Sequence, residues 1–277
     1  MDPHLLVFAG TVALVLGSAA MFHVAARLGP LGQRLCDIAA AAPMLDLVVF
    51  WFLHAPHILA AVVWAQGDGP STLGLLGYLG TAVVGQMLAL TLWAWAHELM
   101  HPAARRGPRV VHTLNRRVSR WRNHAAVWWT GIVVPVFTLI RLAEIFIYPP
   151  LIWLVSFPRY RQQDWVNVSR QKFSGLVGWD LIWCLYCDWM TGVWSLGGEM
   201  LRNVESFWCP IRFSSSEKCA NCSIDFPDVA GGWVPAEKGM AEVAATIEKH
   251  YPGPGGINAW FGHPVRITVN GAAADKA

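Results

Sequence analysis

Two histidines and a carboxylate lie together in the run Ala94-Trp-Ala-His97-Glu98-Leu-Met-His101-Pro102. On a helix His97 and His101 are one turn apart, so both imidazoles face the same way and can hold one metal ion. Glu98 between them is the right group to take a proton from a metal-bound water. A catalytic ion needs further ligands, for which the sequence offers His112 and His124 downstream, and Glu144 beyond them. Pro102 sets a limit on this arrangement, since it disfavours helical geometry at His101. If no metal binds, the three residues form a polar cap at a membrane interface.

Other chemistry-bearing residues fall into two groups. His23, His54 and His57 lie inside strongly apolar stretches, where an ionisable side chain is costly and points to function. Histidines on facing helices suit axial ligation of haem b, which makes His54 and His57 candidate cofactor ligands. In His54-Ala-Pro-His57, however, Pro56 frees a backbone carbonyl that a histidine can satisfy. The cysteines form two pairs, Cys184-x-x-Cys187 and Cys219-x-x-Cys222, with Cys209 between them. Two such pairs match the layout of a tetrahedral zinc site, with an iron–sulfur cluster as the second option and disulfides as the third. The first pair sits in Trp183-Cys-Leu-Tyr-Cys-Asp-Trp189, which reads as continuous helix. Cys36 reads as a lone buried thiol.

The five residues His97–His101 fit the HExxH pattern of zinc proteases, in which the histidines bind zinc and the glutamate is the base. They also resemble the first histidine box of membrane fatty-acid desaturases and alkane hydroxylases. Those families place an H-[DE]-x-x-H box just after a transmembrane hairpin, on the cytoplasmic face, and Asn115 matches their pattern loosely. The resemblance is confined to the box and its surroundings. The families' two H-x-x-H-H boxes have no counterpart here, where only isolated His112, His124, His250 and His263 follow. The resemblance implies iron-dependent oxidation of a lipid-like substrate, with a mononuclear or mixed site in place of a full diiron set.

These residues must be positioned by membrane helices. Hydrophobic residues make up 55% of the chain and charged residues 14%, with a mean hydropathy of +0.38. A soluble domain carries about 25% charged residues. The 16 tryptophans suit a membrane interface, where the ring is apolar and its N–H stays wet. Apolar stretches at 5–28, 44–65 and 72–96 are each long enough to span a bilayer. The stretch 126–157 is too long for one upright span and barely enough for two. It carries Arg141 and Glu144 at i, i+3, a spacing that suits a membrane ion pair, and Pro149-Pro150, which should end any helix nearby. Gly67–Pro70 reads as a turn.

Seven arginines lie between Arg105 and Arg122, and no Asp or Glu occurs between Glu98 and Glu144. With a net charge of only +3, this asymmetry reads as a cytoplasmic, headgroup-facing loop over 102–125 and not as a nucleic-acid surface. The sequence therefore predicts an all-α integral membrane protein, multi-pass in an inner or plasma membrane. It has about four transmembrane helices over 1–157 and a cysteine-containing C-terminal region over 158–277. Within that region, 174–204 predicts one or two Trp-rich amphipathic helices and 237–250 another helix, with a frayed end beyond Ile267. The function expected first is a metal-dependent membrane enzyme, iron ahead of zinc. The contrasting class is a haem or iron–sulfur subunit, or an assembly factor, of a membrane electron-transfer complex, with other subunits or a redox partner beside it.

Overall fold

The structure is a computed structural model that describes residues 2–67, 71–225, 232–251, 268–269 and 272–273. Residues 68–70 of the expected turn, His263 and most of the tail beyond Ile267 lie outside the described residues. The chain is an all-α membrane protein. Among the described residues its helices, in order, are α1 (Pro3–Ala25), α2 (Gly29–Ala39), α3 (Met44–Ala65), α4 (Thr72–Met100), α5 (Pro102–Arg106), α6 (Val110–Val118), α7 (Arg120–Thr130), α8 (Val134–Leu142), α9 (Tyr148–Val155), α10 (Gln162–Trp165), α11 (Trp179–Trp208), α12 (Ser216–Asp225) and α13 (Met240–His250). A two-stranded antiparallel ladder pairs Thr268 with Ala273 and Val269 with Ala272.

Among the described residues four stretches are long and apolar enough to cross a membrane: Pro3–Ala25, Met44–Ala65, Thr72–Met100 and Arg120–Val155. The last corrects one expectation. Pro149-Pro150 does not end the helix, because the pair occupies the first turn of α9. The fixed φ of each proline suits the opening turn of a helical segment. A 3₁₀ turn at Gly131–Val133 and a π-turn at Ala143–Ile147 join α7, α8 and α9 into one apolar helical stretch. Of the Trp-rich region 174–204, residues from Trp179 onward form a single helix, α11, which runs on to Trp208.

The chain divides into two compact units. The first comprises Met1–Ile132 and Val166–Trp189. Its starts are set locally: the Asp2 side chain accepts from His4 N at 2.8 Å, and the Ser71 hydroxyl accepts from Gly74 N at 3.1 Å. Along α1, the buried residues Val7, Thr11, Val15 and Ala19 recur every four positions. On α4 the facing stripe is Ala82, Gly85 and Ala89. Gly85 permits the close approach, since a Cβ there would stand 3.0 Å from the Thr11 methyl. Small residues let membrane helices approach closely, where packing replaces the hydrophobic drive. α1 and α4 run in the same direction, because His4 reaches Thr81 at one end and His23 meets His97 at the other. α3 runs opposite, with Trp51 donating to Ser18 on α1 at 2.8 Å. The segment after residue 165 is fastened to this unit by backbone bonds from Ala42 to Val166 (2.9 Å) and from Val168 to Ala40 (2.8 Å).

The second unit comprises Val133–Trp165 and Met190–Ala277. Its core includes Tyr148, Phe157, Val193, Leu196 and Met200. The expected ion pair is present, with Arg141 Nη1 2.6 Å from Glu144 Oε2. Gly197 on α11 packs against this site, where a Cβ would lie 2.9 Å from Ile140 and 3.1 Å from Glu144 Oε1.

Candidate functional site

The apolar run of α4 places His97 and His101 at its last turn, and α4 stops at Met100 as Pro102 requires. His97 is buried and stacks on Trp93, with ring centroids 5.0 Å apart. The His97 and His101 rings are 4.3 Å apart. The parallel course of α1 brings in a third imidazole, His23, whose ring lies 5.8 Å from both His97 and His101. Sequence spacing hides this meeting, because His23 is separated from the motif by two spans. Its only signal was an ionisable residue within an apolar segment.

Hydrogen bonds assign the ring protons. His101 Nδ1 lies 2.9 Å from the His97 carbonyl. A carbonyl only accepts, so His101 carries its proton on Nδ1 and leaves Nε2 with a lone pair. At His97 the sense is reversed. Gly178 N donates to His97 Nδ1 at 3.3 Å, so the neutral His97 ring keeps its proton on Nε2. The pair therefore presents one N–H and one lone pair. His23 Nε2 is buried and has no hydrogen-bond partner among the described residues. Such an orphan costs about 1–3 kcal/mol.

Glu98 faces elsewhere. Its Oε1 accepts from Arg109 Nη2 at 2.9 Å, while Arg109 Nε donates to Asp180 Oδ2 at 2.6 Å and its Nη2 also to the Val177 carbonyl at 2.9 Å. Asp180 Oδ1 accepts from Val111 N at 2.8 Å, which anchors the first turn of α6. Arg109 and Asp180 are both buried. Burial alone would lower the Arg109 pKa, but the hydrogen bonds and charges of Glu98 and Asp180 reverse that and raise it. Sequence reasoning missed Arg109 and Asp180 as partners of the motif, since the first looked like one of seven loop arginines.

The remaining candidates lie apart from this cluster. His112 is exposed on α6. His124 packs edge-on against Trp179 and Trp183, at 5.8 and 5.7 Å. On α3, His54 lies 5.3 Å from the Phe50 ring. His57 Nδ1 donates to the Leu53 carbonyl at 2.7 Å. The Phe52 carbonyl, which Pro56 deprives of its helical donor, is taken by Gln86 Nε2 of α4 at 2.9 Å. Gln86 thus does the work that sequence reasoning assigned to a histidine.

No disulfide joins any of the six cysteines. Cys184 and Cys187 lie on α11 within the first unit, and Cys219 and Cys222 on α12 within the second. Burial pushes the Cys184 thiol up, partly opposed by Arg170. Among the described residues, no group of three or more His, Cys, Asp or Glu side chains is arranged to hold a metal ion.

The second unit holds a buried polar network that sequence reasoning also missed. Arg202 Nη2 donates to Glu199 Oε1 at 2.7 Å, and Tyr160 donates to the same oxygen at 3.2 Å. Asn203 Nδ2 donates to the hydroxyls of Tyr148 and Tyr160. Burial raises the Tyr160 pKa well above the usual phenol value. The available signal was the i, i+3 spacing of Glu199 and Arg202 inside an otherwise apolar stretch of α11. No protein-family model, curated protein or solved structure matches the chain.

Proposed function

We propose that this chain is a multi-pass protein of an inner or plasma membrane that binds a transition metal at His23 and His101 and oxidises a lipid-like substrate. The observation that carries this reading is the convergence of three imidazoles at the ends of α1 and α4, with His23 Nε2 buried and unpartnered. An ion there would relieve that orphan. His101 presents a lone pair on Nε2, held in that tautomer by the His97 carbonyl. His97 contributes differently, as an N–H donor beside the ion, because Gly178 occupies its Nδ1. His23 and His101 would supply the imidazole pair of a non-haem iron site of the two-histidine kind, whose remaining ligands would come from outside the two rings. Bound iron would supply the oxygen-activating chemistry. The chain's own residues would position it, exclude water with Trp93 and offer the His97 Nε2–H as a hydrogen-bond donor.

Iron oxidation is favoured over zinc hydrolysis by the placement of Glu98. Its carboxylate is engaged by Arg109 at 2.9 Å, away from the imidazoles, so it does not reach a water held between them. The test is metal content by plasma mass spectrometry on the full chain purified in detergent, comparing wild type, His23→Ala and His101→Ala. The expected result is near-stoichiometric iron in wild type and its loss in both variants. Equal metal in all three proteins, or none in wild type after iron loading, would overturn the proposal.

A further inference from the structure

Six of the seven arginines between Arg105 and Arg122 are exposed, and Arg109 alone is buried in the ion-paired site described above. Among the described residues none of the six forms an ion pair. The two helices that carry Arg116, Arg117, Arg120 and Arg122 are held together. Asn123 Nδ2 on α7 donates to Asn115 Oδ1 on α6 at 2.9 Å, across the turn at Ser119. α6 buries Val111 against the unit and leaves Val110, Leu114 and Val118 exposed at intervals of four. That spacing makes one apolar stripe, with Arg117 at its edge. Trp121 and Trp129 on α7 are 72% and 75% exposed.

An exposed apolar stripe, exposed tryptophans and unneutralised guanidinium groups on α6 and the arginine-bearing start of α7 are the features of a segment in the headgroup layer, at the point where the fourth apolar stretch begins. The absence of acidic residues over this segment removes the internal partners that would otherwise spend the positive charge. Charge complementarity then selects the lipid. We propose that α6 and α7 form a binding surface for anionic phospholipid, with Arg116, Arg117, Arg120 and Arg122 gripping the phosphate and Val110, Leu114 and Trp121 entering the acyl boundary. A guanidinium fork matches a phosphate bidentately and keeps its charge at every physiological pH. This surface is independent of the histidine cluster and needs no metal.

The test uses the full chain in detergent, given an equimolar mixture of phosphatidylglycerol and phosphatidylcholine with the same acyl chains. Bound lipids are counted by native mass spectrometry. Wild type is expected to retain phosphatidylglycerol in about tenfold or greater preference. The quadruple variant Arg116→Gln, Arg117→Gln, Arg120→Gln, Arg122→Gln should lose that preference while keeping its helical circular dichroism. A second variant with lysine at the same four positions should keep most of it. Equal retention of the two lipids by wild type, or unchanged preference in the glutamine variant, would overturn the proposal. So would displacement of phosphatidylglycerol by a single-stranded RNA oligonucleotide at equal concentration, which would assign the surface to nucleic acid instead.

Discussion

Gly178 N donates to His97 Nδ1 at 3.3 Å, and the same glycine packs directly on the neighbouring Glu98. Its φ of +56° is open to glycine at little cost, and a Cβ there would stand 2.3 Å from Glu98 Oε1. One residue therefore sets the His97 tautomer and seats the Arg109 ion pair. Gly178→Ala is expected to destabilise the first unit well beyond the ~1–2 kcal/mol of left-handed backbone strain. Gly175→Ala is the control. It has φ +90° but open space at its Cβ, so only the backbone cost of about 1 kcal/mol applies. Thermal unfolding in detergent should rank the two in that order, and equal shifts would contradict the close packing on Glu98.

Arg109 joins the end of α4, the start of α6 and the start of α11 through Glu98, Asp180 and the Val177 carbonyl. Arg109→Ala leaves a buried Asp180 carboxylate without its counter-charge, a loss of about 3–5 kcal/mol. Arg109→Ala with Asp180→Ala removes both charges and should recover part of that loss. A double-mutant cycle on unfolding midpoints checks this, and strict additivity would show that the pair is not coupled.

Gln86 replaces the hydrogen bond that Pro56 removes from α3. Gln86→Leu should cost about 1 kcal/mol, because the Phe52 carbonyl then lacks a donor in an apolar setting. In a Pro56→Ala background the restored N–H reaches Phe52 itself, so the same Gln86→Leu change should be nearly neutral. A full-sized effect in both backgrounds would show that Gln86 acts by packing.

Cys184 is half-buried and its thiol is pushed up by burial, whereas Cys187 is exposed one turn later. In single-cysteine variants, Cys187 is expected to react with a maleimide faster at neutral pH. The Cys184 rate should keep rising with pH beyond the ordinary thiol range, since only the thiolate attacks. Equal rates and equal pH profiles would place both sulfurs in the same environment.

The apolar stretches, and with them the membrane fold, were legible from residue order alone. Segment 44–65 was predicted with the bounds that α3 has, and the end of α4 before Pro102 followed from a local steric rule. Such features depend on neighbours within one helical turn, so they are written in adjacent residues. The pairing of Arg141 with Glu144 was legible for the same reason. The partners of the histidine motif were not. His23 reaches His97 because α1 and α4 run parallel at close range, an outcome of the Thr11–Gly85 contact. Glu98 looked like a base until Arg109 and Asp180, the latter far along the chain, enclosed it in an ion-paired site. Gln86 likewise displaced a histidine from the Phe52 carbonyl through the packing of α3 on α4. Sequence determined which segments are helices and where they stop. Only the packing of those helices decided which polar groups meet, because a buried charge takes whichever partner the fold brings within reach.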